Sequence, residues 1–209
     1  MSIAPYASLN LAFHVGDNRD DVLDNRASIS TPFSAIQFMD QRHGDEIAVV
    51  NSSSEIDPSC DALITTTPGF ALAVLVADCI PLLLSSSSVV AAVHVGRKGL
   101  VNKITLKVIA HMRTLGATAI HAQLGASICG ECYEVPAEMA KEVSLMHPNA
   151  LSQTRVGTPA LDLPRALIAD LTSAGISYEA TSVCTFENHN YFSYRRDSTT
   201  GRFAGIVWL

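Results

Sequence analysis

Two apolar runs in this chain carry residues of the types that hold a transition metal. The first, Ala71 to Pro81, contains Cys79 near its end, and the second, Val89 to Gly96, contains His94. His43 stands upstream in Gln41-Arg42-His43-Gly44. Runs of this kind read as buried strands, and a scaffold presents its chemistry where such strands end. One thiolate with two imidazoles is a ligand set suited to Zn²⁺, leaving a fourth position for water or substrate. Each residue also has an ordinary reading. Cysteine is often a small buried hydrophobe, and His43 alone is compatible with a loop. Asp78, flanked by apolar neighbours, must find a partner or face a cleft. His94, between Val93 and Val95, needs a satisfied ring or a metal. Spacing does not bring the three together; only the fold can.

Other polar groups stand in apolar surroundings. Cys129-Gly130-Glu131-Cys132 matches the short pattern shared by redox and zinc sites, but no second C-x-x-C follows it. It therefore reads as two incidental thiols in a loop, with Cys60 and Cys184 as core residues. Arg97-Lys98-Gly99 directly follows the His94 run, and Arg195, Arg196 and Arg202 cluster near the C-terminus. Guanidinium forks bind phosphate or carboxylate in pairs of hydrogen bonds, so these groups point either to an anionic substrate or to a structural Arg–Asp network. Asn10, His14, Asp17 and Arg26 form a third polar group.

The elements that would position these residues alternate. Ser8 to Phe13, Glu46 to Val50 and Asp61 to Thr65 read as strands, with a short helix over Asp20 to Ser28. Ser85 to Ser88 reads as a hairpin loop between the two long runs. Leu100 to Leu115 has helical spacing with Gly116 as a stop. Ala119 to Leu124 reads as a strand and Pro136 to Met146 as a helix. Asp162 can cap a helix running to Ala174, and strands are expected over Tyr178 to Cys184 and Phe203 to Trp208. Mixed sheets covered by helices are the natural architecture, and no composition shift marks a boundary, so residues 1–209 read as one domain.

With 209 residues, 48% of them apolar and 16% charged, the chain has material for a large core. The net charge of −6 is dispersed, with no basic run to follow a phosphate backbone, which argues against nucleic-acid binding. Asp78 and Pro81 interrupt the longest apolar stretch, so no membrane span is expected. The opening residues have neither a basic region nor an apolar signal core, which favours a cytoplasmic protein. Five cysteines show no disulfide framework.

Taken together, the segments resemble the laccase-domain proteins, first named multicopper polyphenol oxidases and later reassigned as zinc-dependent purine nucleoside phosphorylases. The resemblance rests on Asn10 to Asp17, Gln41 to Gly44, Cys60 to Thr65, Ala77 to Pro81 and His94 to Gly99. It continues through Leu124 to Ile128, Tyr133 to Val135, Leu161 to Leu163, Cys184-Thr185 and Phe192 to Arg202, in the family's order. It implies an α+β fold with a four-layer α/β/β/α core of mixed sheets, and His43, Cys79 and His94 as metal ligands. One departure is visible: Arg97 and Lys98 stand where the family usually has Trp and Arg. Lysine keeps the charge but loses the bidentate fork.

The resemblance implies phosphorolysis of adenosine, inosine, guanosine or methylthioadenosine, with adenosine deamination at the same zinc site. Lys98, Arg26 or Arg195 would hold phosphate and Asp78 would shuttle a proton. The expected partners are nucleoside and phosphate, without nucleic acid or membrane, in a monomer or weak homodimer. Two enzymatic alternatives use the same residues. One is a metal-free cysteine hydrolase with Cys79 as nucleophile and His94 or His43 as base. The other is a copper-dependent polyphenol oxidase, disfavoured because seven histidines include no His-x-His pair, although Cu²⁺ can occupy such a site adventitiously. A third reading is a non-catalytic binding module that keeps the fold.

Overall fold

The computed structural model describes residues 1–54 and 56–209. Helix α1 spans Arg19–Ser30, where the Asn18 side chain accepts the backbone N–H groups of Asp20 and Asp21 and so satisfies two of the free donors at the helix start. Strands β1 (Ala35–Gln37), β2 (Ile47–Val49) and β3 (Ala62–Thr65) follow, then the two long strands β4 (Phe70–Val76) and β5 (Ile80–Ser85). Strand β6 (Val90–Val95) completes a hairpin with β5, as the serine stretch implied. The expected long helix is split into α2 (Arg97–Val101) and α3 (Ile104–Thr114). The break lies at Lys103, whose φ of 58° cannot continue a right-handed helix. Strand β7 is His121–Leu124, and helix α4 is Ala137–Met146. A small hairpin, β8 (Leu151–Gln153) and β9 (Pro159–Leu161), leads to helix α5 (Leu163–Ser173), capped by the Asp162 side chain on the Arg165 N–H. Strand β10 (Ser177–Ala180), the short helix α6 (Tyr194–Asp197) and strand β11 (Phe203–Val207) finish the chain.

These elements form two main mixed sheets. One has three strands in the order β1-β4-β11, the other six in the order β10-β7-β5-β6-β3-β2. Alternation along the strands explains why they stack. In β4, Phe70, Leu72, Val74 and Val76 point toward Leu63, Val90 and Ala92 of the larger sheet, while Ala73 and Leu75 point outward to Leu11 and Phe38, with Ile29 of α1 nearby. In the larger sheet, Ile64, Leu82, Leu84, Ala91 and Val93 face Ile104, Val108, Met112, Leu167 and Leu171 of α3 and α5. The layers therefore run helix, small sheet, large sheet, helices, in agreement with the mixed-sheet, four-layer architecture. Because β3 to β6 are covered on both sides, their apolar runs are nearly continuous.

Two expected strands differ. Ser8 to Phe13 forms no strand, because the buried Asn10 amide takes the backbone groups a neighbouring strand would need. Its Oδ1 accepts from the N–H groups of Ala12 at 3.1 Å and Arg202 at 2.9 Å, and its Nδ2 donates to the Ala12 carbonyl. The strand expected over Tyr178 to Cys184 stops at Ala180, beyond which only an isolated bridge pairs Ser127 with Cys184. Among the described residues no helix is long and apolar enough to cross a membrane.

Candidate metal centre

The start of β3, the start of β5 and the end of β6 meet at one end of the large sheet's central strands. In the antiparallel register Pro81 pairs with His94 and Ala62 with Val93, so Cys79, just before β5, and Asp61, just before β3, flank the end of β6. His94 has the same strand parity as Val90 and Ala92 and therefore faces the small sheet. His43 reaches the same place on the loop between β1 and β2. That loop is pinned by Gln41, whose Nε2 donates to the Leu75 carbonyl at 2.8 Å and whose Oε1 accepts the Leu75 N–H at 2.9 Å.

The ligand atoms of His43, Cys79 and His94 all lie within 4.8 Å of one another. The two imidazoles meet edge to face, with ring centroids 4.6 Å apart. Beside them Gly96 leaves a space that a side chain would fill. A Cβ there would stand 3.1 Å from the Cys79 sulfur, 3.4 Å from His43 Cδ2 and 3.9 Å from His94 Nε2. Two neutral imidazoles and one thiolate with room at their centre fit a zinc ion with an open fourth position.

Sequence reasoning missed the group behind the ligands. Asp61 is 1% exposed, and its Oδ1 lies 2.7 Å from His94 Nδ1. The same carboxylate accepts backbone N–H groups from Arg42 at 3.1 Å, His43 at 3.0 Å and Gly44 at 2.7 Å. It thereby orients one ligand ring directly and fixes the loop that carries the other. His43 itself has φ of 58°, a conformation held by these bonds. A carboxylate on Nδ1 makes that nitrogen the donor and leaves Nε2 with its lone pair for a metal. Burial works against ionisation of Asp61, but the His94 bond and the backbone donors outweigh it and hold its pKa below the ordinary value. The sequence signal was an acidic residue at the start of an otherwise apolar strand.

Burial would likewise push the Cys79 thiol up, yet His94 and the hydrogen bonds from both imidazoles bring it down to about 6. Burial would lower the pKa of His94, but the Cys79 thiolate and Asp61 raise it to about 9. Both shifts run toward the ionised pair, a thiolate beside an imidazolium.

A cavity of about 590 Å³ opens over these residues. Beyond the three ligands, Tyr133, Tyr194, Arg195, Arg202 and His14 line it. Asp78 also lines it, but its carboxylate is committed elsewhere. Oδ1 accepts from the hydroxyls of Thr185 and Ser193, each at 2.7 Å, and Oδ2 from the Arg195 N–H at 2.7 Å. These bonds hold Asp78 at its φ of 94° and tie the β4–β5 corner to the C-terminal segment. Both carboxylate oxygens of Asp78 are thus engaged by neighbouring donors of the C-terminal segment. Arg195 donates through Nη1 to the Glu134 carbonyl at 2.7 Å and lies over the Tyr133 ring.

Arg26 and Lys98 do not join the group. The Arg26 guanidinium is sandwiched against Phe13 and Phe38 and pairs with Asp57 at 3.7 Å, which makes it a structural cation. Lys98 is exposed on the first turn of α2 and is absent from the cavity lining. Its neighbour Arg97 acts near the cavity instead: it opposes the upward push that burial gives the Tyr133 phenol. Arg202 was noted in the sequence as part of a cluster, and the fold places it in the cavity.

Comparison with known proteins shows the family. A family model described as multi-copper polyphenol oxidoreductase laccase matches residues 1–209. A Streptomyces coelicolor protein named purine nucleoside phosphorylase is 44% identical, aligned over 100% of this chain and 91% of its own. A Corynebacterium glutamicum protein of the same name is 42% identical over 100% of this chain and 90% of its own. Among solved structures, a Neisseria meningitidis protein superimposes with a TM-score of 0.88 at 29% identity, covering 100% of this chain and 89% of the other. YlmD from Geobacillus stearothermophilus gives 0.89 at 29% identity, covering 99% and 87%. With a match along its whole length and relatives at this identity, the chain belongs to the multi-copper polyphenol oxidoreductase laccase family.

Proposed function

We propose that this protein is a zinc-dependent purine nucleoside phosphorylase acting on adenosine, inosine, guanosine or methylthioadenosine. The observation that carries the reading is the convergence of His43, Cys79 and His94 on one side of a cavity that also holds Arg195 and Arg202. The names of the relatives support the substrate class. In the reaction a phosphate oxygen bonds to ribose C1′ while the C1′–N9 bond breaks, and the electron pair leaves with a purine that takes up a proton. Zinc, when bound, supplies Lewis acidity and a water of lowered pKa. The chain's own residues do the positioning. Arg195 and Arg202 have guanidinium planes anchored on backbone carbonyls, of Glu134 and of Thr200 and Gly201, leaving their remaining N–H groups for phosphate. Tyr133 and Tyr194 offer aromatic surface to a flat base. The cavity volume lies within the range of small-molecule sites. Adenosine deamination, in which a water oxygen adds at C6 and ammonia leaves, is read as a secondary activity of the same cavity.

A multicopper oxidase activity does not fit this chain's candidate ligands. Among the described residues, one cluster contains two histidines and a cysteine, and the other possible metal cluster contains no histidine. That supply of imidazoles does not build a multicopper centre. The second reading, a metal-free cysteine hydrolase, draws on the thiolate–imidazolium pair oriented by Asp61. The experiment that separates them is phosphate-dependent release of adenine or hypoxanthine from adenosine or inosine, before and after chelation. Phosphorolysis should vanish on chelation and return with zinc, while removal of copper alone leaves it unchanged. Activity that survives complete chelation sinks the zinc reading.

The placement of the cations gives a second test. Arg202→Ala should raise the KM for phosphate by about 10- to 100-fold, the size of one or two charge-assisted hydrogen bonds. Lys98→Ala should change it by less than about twofold, since an exposed surface charge contributes little. Steady-state kinetics with phosphate varied at fixed nucleoside reads both. A large effect at Lys98 with none at Arg202 would reverse the assignment.

A further inference from the structure

The C-x-x-C segment, expected to carry incidental thiols, is joined by a third cysteine. The Sγ atoms of Cys129, Cys132 and Cys184 and a carboxylate oxygen of Glu187 all lie within 4.8 Å of one another. A tetrahedral zinc with Zn–S bonds of about 2.3 Å needs sulfur atoms roughly 3.8 Å apart, so side-chain adjustment alone would close the set. We propose that Cys129, Cys132, Cys184 and Glu187 form a second metal site, a structural zinc centre separate from the His43–Cys79–His94 centre.

The local backbone is built for this. The turn after Cys129 is closed by the N–H groups of Cys132 and Tyr133, which both donate to the Cys129 carbonyl, at 3.1 and 3.0 Å. This turn sets both thiols of the motif on one side. Gly130 permits it, because a Cβ there would stand only 2.6 Å from the Cβ of Asp162, the cap of α5. Cys184 arrives through the bridge to Ser127, supported by the Thr185 N–H on the Ser127 carbonyl at 3.1 Å. The Cys129 N–H donates to the Cys184 sulfur at 3.4 Å, which holds the third cysteine against the start of the motif. The Cys132 thiol donates to Glu187 Oε1 at 3.6 Å, so a proton bridges two groups that a cation would bridge instead. Arg155 pairs with Glu187 and, at 2.9 Å, with Glu131, and so offsets part of the negative charge that three thiolates and a carboxylate would bring.

Four protein ligands leave no open position, the mark of a structural rather than a catalytic zinc. Binding would release the three thiol protons to solvent. Its mechanical effect falls on the neighbouring cavity. The site would clamp the segment carrying Tyr133 to the segment carrying Thr185, and both segments hold Asp78, through the Ile128 N–H on its carbonyl and the Thr185 hydroxyl on its carboxylate.

Metal counting on the purified full chain tests this without reference to activity. After chelation and reloading with zinc, the native protein should retain two equivalents, Cys79→Ala one, and Cys129→Ser/Cys132→Ser one. The count in Cys79→Ala does not depend on the phosphorylase reading, so failure of either can be told from failure of the other. Because the double variant can lose the fold, alkylation of the native protein is the companion measurement. Cys129 and Cys132 should be protected with zinc present and labelled once it is stripped. A single equivalent in the native protein, lost with Cys79→Ala, overturns the proposal. So does equal labelling with and without zinc, or a disulfide linking any two of Cys129, Cys132 and Cys184.

Discussion

Replacing Cys79 with alanine should lower phosphorolysis at least about 100-fold, past the 10- to 100-fold range seen when a group behind a metal ligand is lost. The expectation follows from how little redundancy the site has. Three protein atoms converge there, and removing the sulfur leaves two imidazoles, a weaker set for zinc. The variant should remain folded, because Cys79 lies at a corner between strands and only part of its side chain packs against the small-sheet core. Circular dichroism and thermal melting check that, and metal analysis should show one equivalent fewer than in the native protein. Turnover that persists unchanged in a folded, zinc-depleted Cys79→Ala protein would place the activity in another part of the molecule.

Asp61 should be the more sensitive position for stability. Asp61→Ala removes the acceptor of three backbone N–H groups and one ring nitrogen in a site with almost no solvent. Breaking a buried charged network of this kind costs about 3–5 kcal/mol. For a chain of this size, that is a fall in Tm on the order of 10 °C. Asp61→Asn is the sharper probe. The amide keeps the shape but must turn its NH₂ either toward the backbone donors or toward His94 Nδ1. In the second case His94 must accept at Nδ1 and carry its proton on Nε2, where the metal lone pair is required. Zinc affinity should fall about 10- to 100-fold with little change in fold. Competition with a chromogenic chelator measures it, and an unchanged affinity in Asp61→Asn would remove Asp61 from the site.

Which parts were legible in the sequence follows from how local their causes are. Strands β4, β5 and β6 were visible because burial on both faces makes their apolar runs continuous. Helix α5 was visible because Asp162 and Gly175 mark its ends. The Lys103 break was not, since the apolar spacing on its two sides stays compatible with one helix. The first segment failed as a strand because the Asn10 side chain bonds the backbone of Ala12 and also that of Arg202, at the other end of the chain. The site divides the same way. His43, Cys79 and His94 could be singled out by residue type, and family resemblance named them as ligands. Asp61 and Cys184 owe their importance to loops that approach them only in the folded chain. Lys98 attracted attention through adjacency to His94, but the first turn of α2 leaves it in solvent.

The candidate metal ligands straddle the seam between the two sheets. His43 is carried on the connection from β1, in the small sheet, to β2, in the large one, and Cys79 follows the corner where the chain leaves β4 for β5. Neither sheet alone can assemble the candidate centre, so it is complete only once the sandwich has closed. An ion held there opposes any motion that slides one sheet across the other. The cavity over the centre leaves the ion a route out that keeps the sandwich closed, so a bound ion would tie the two sheets together without being trapped between them.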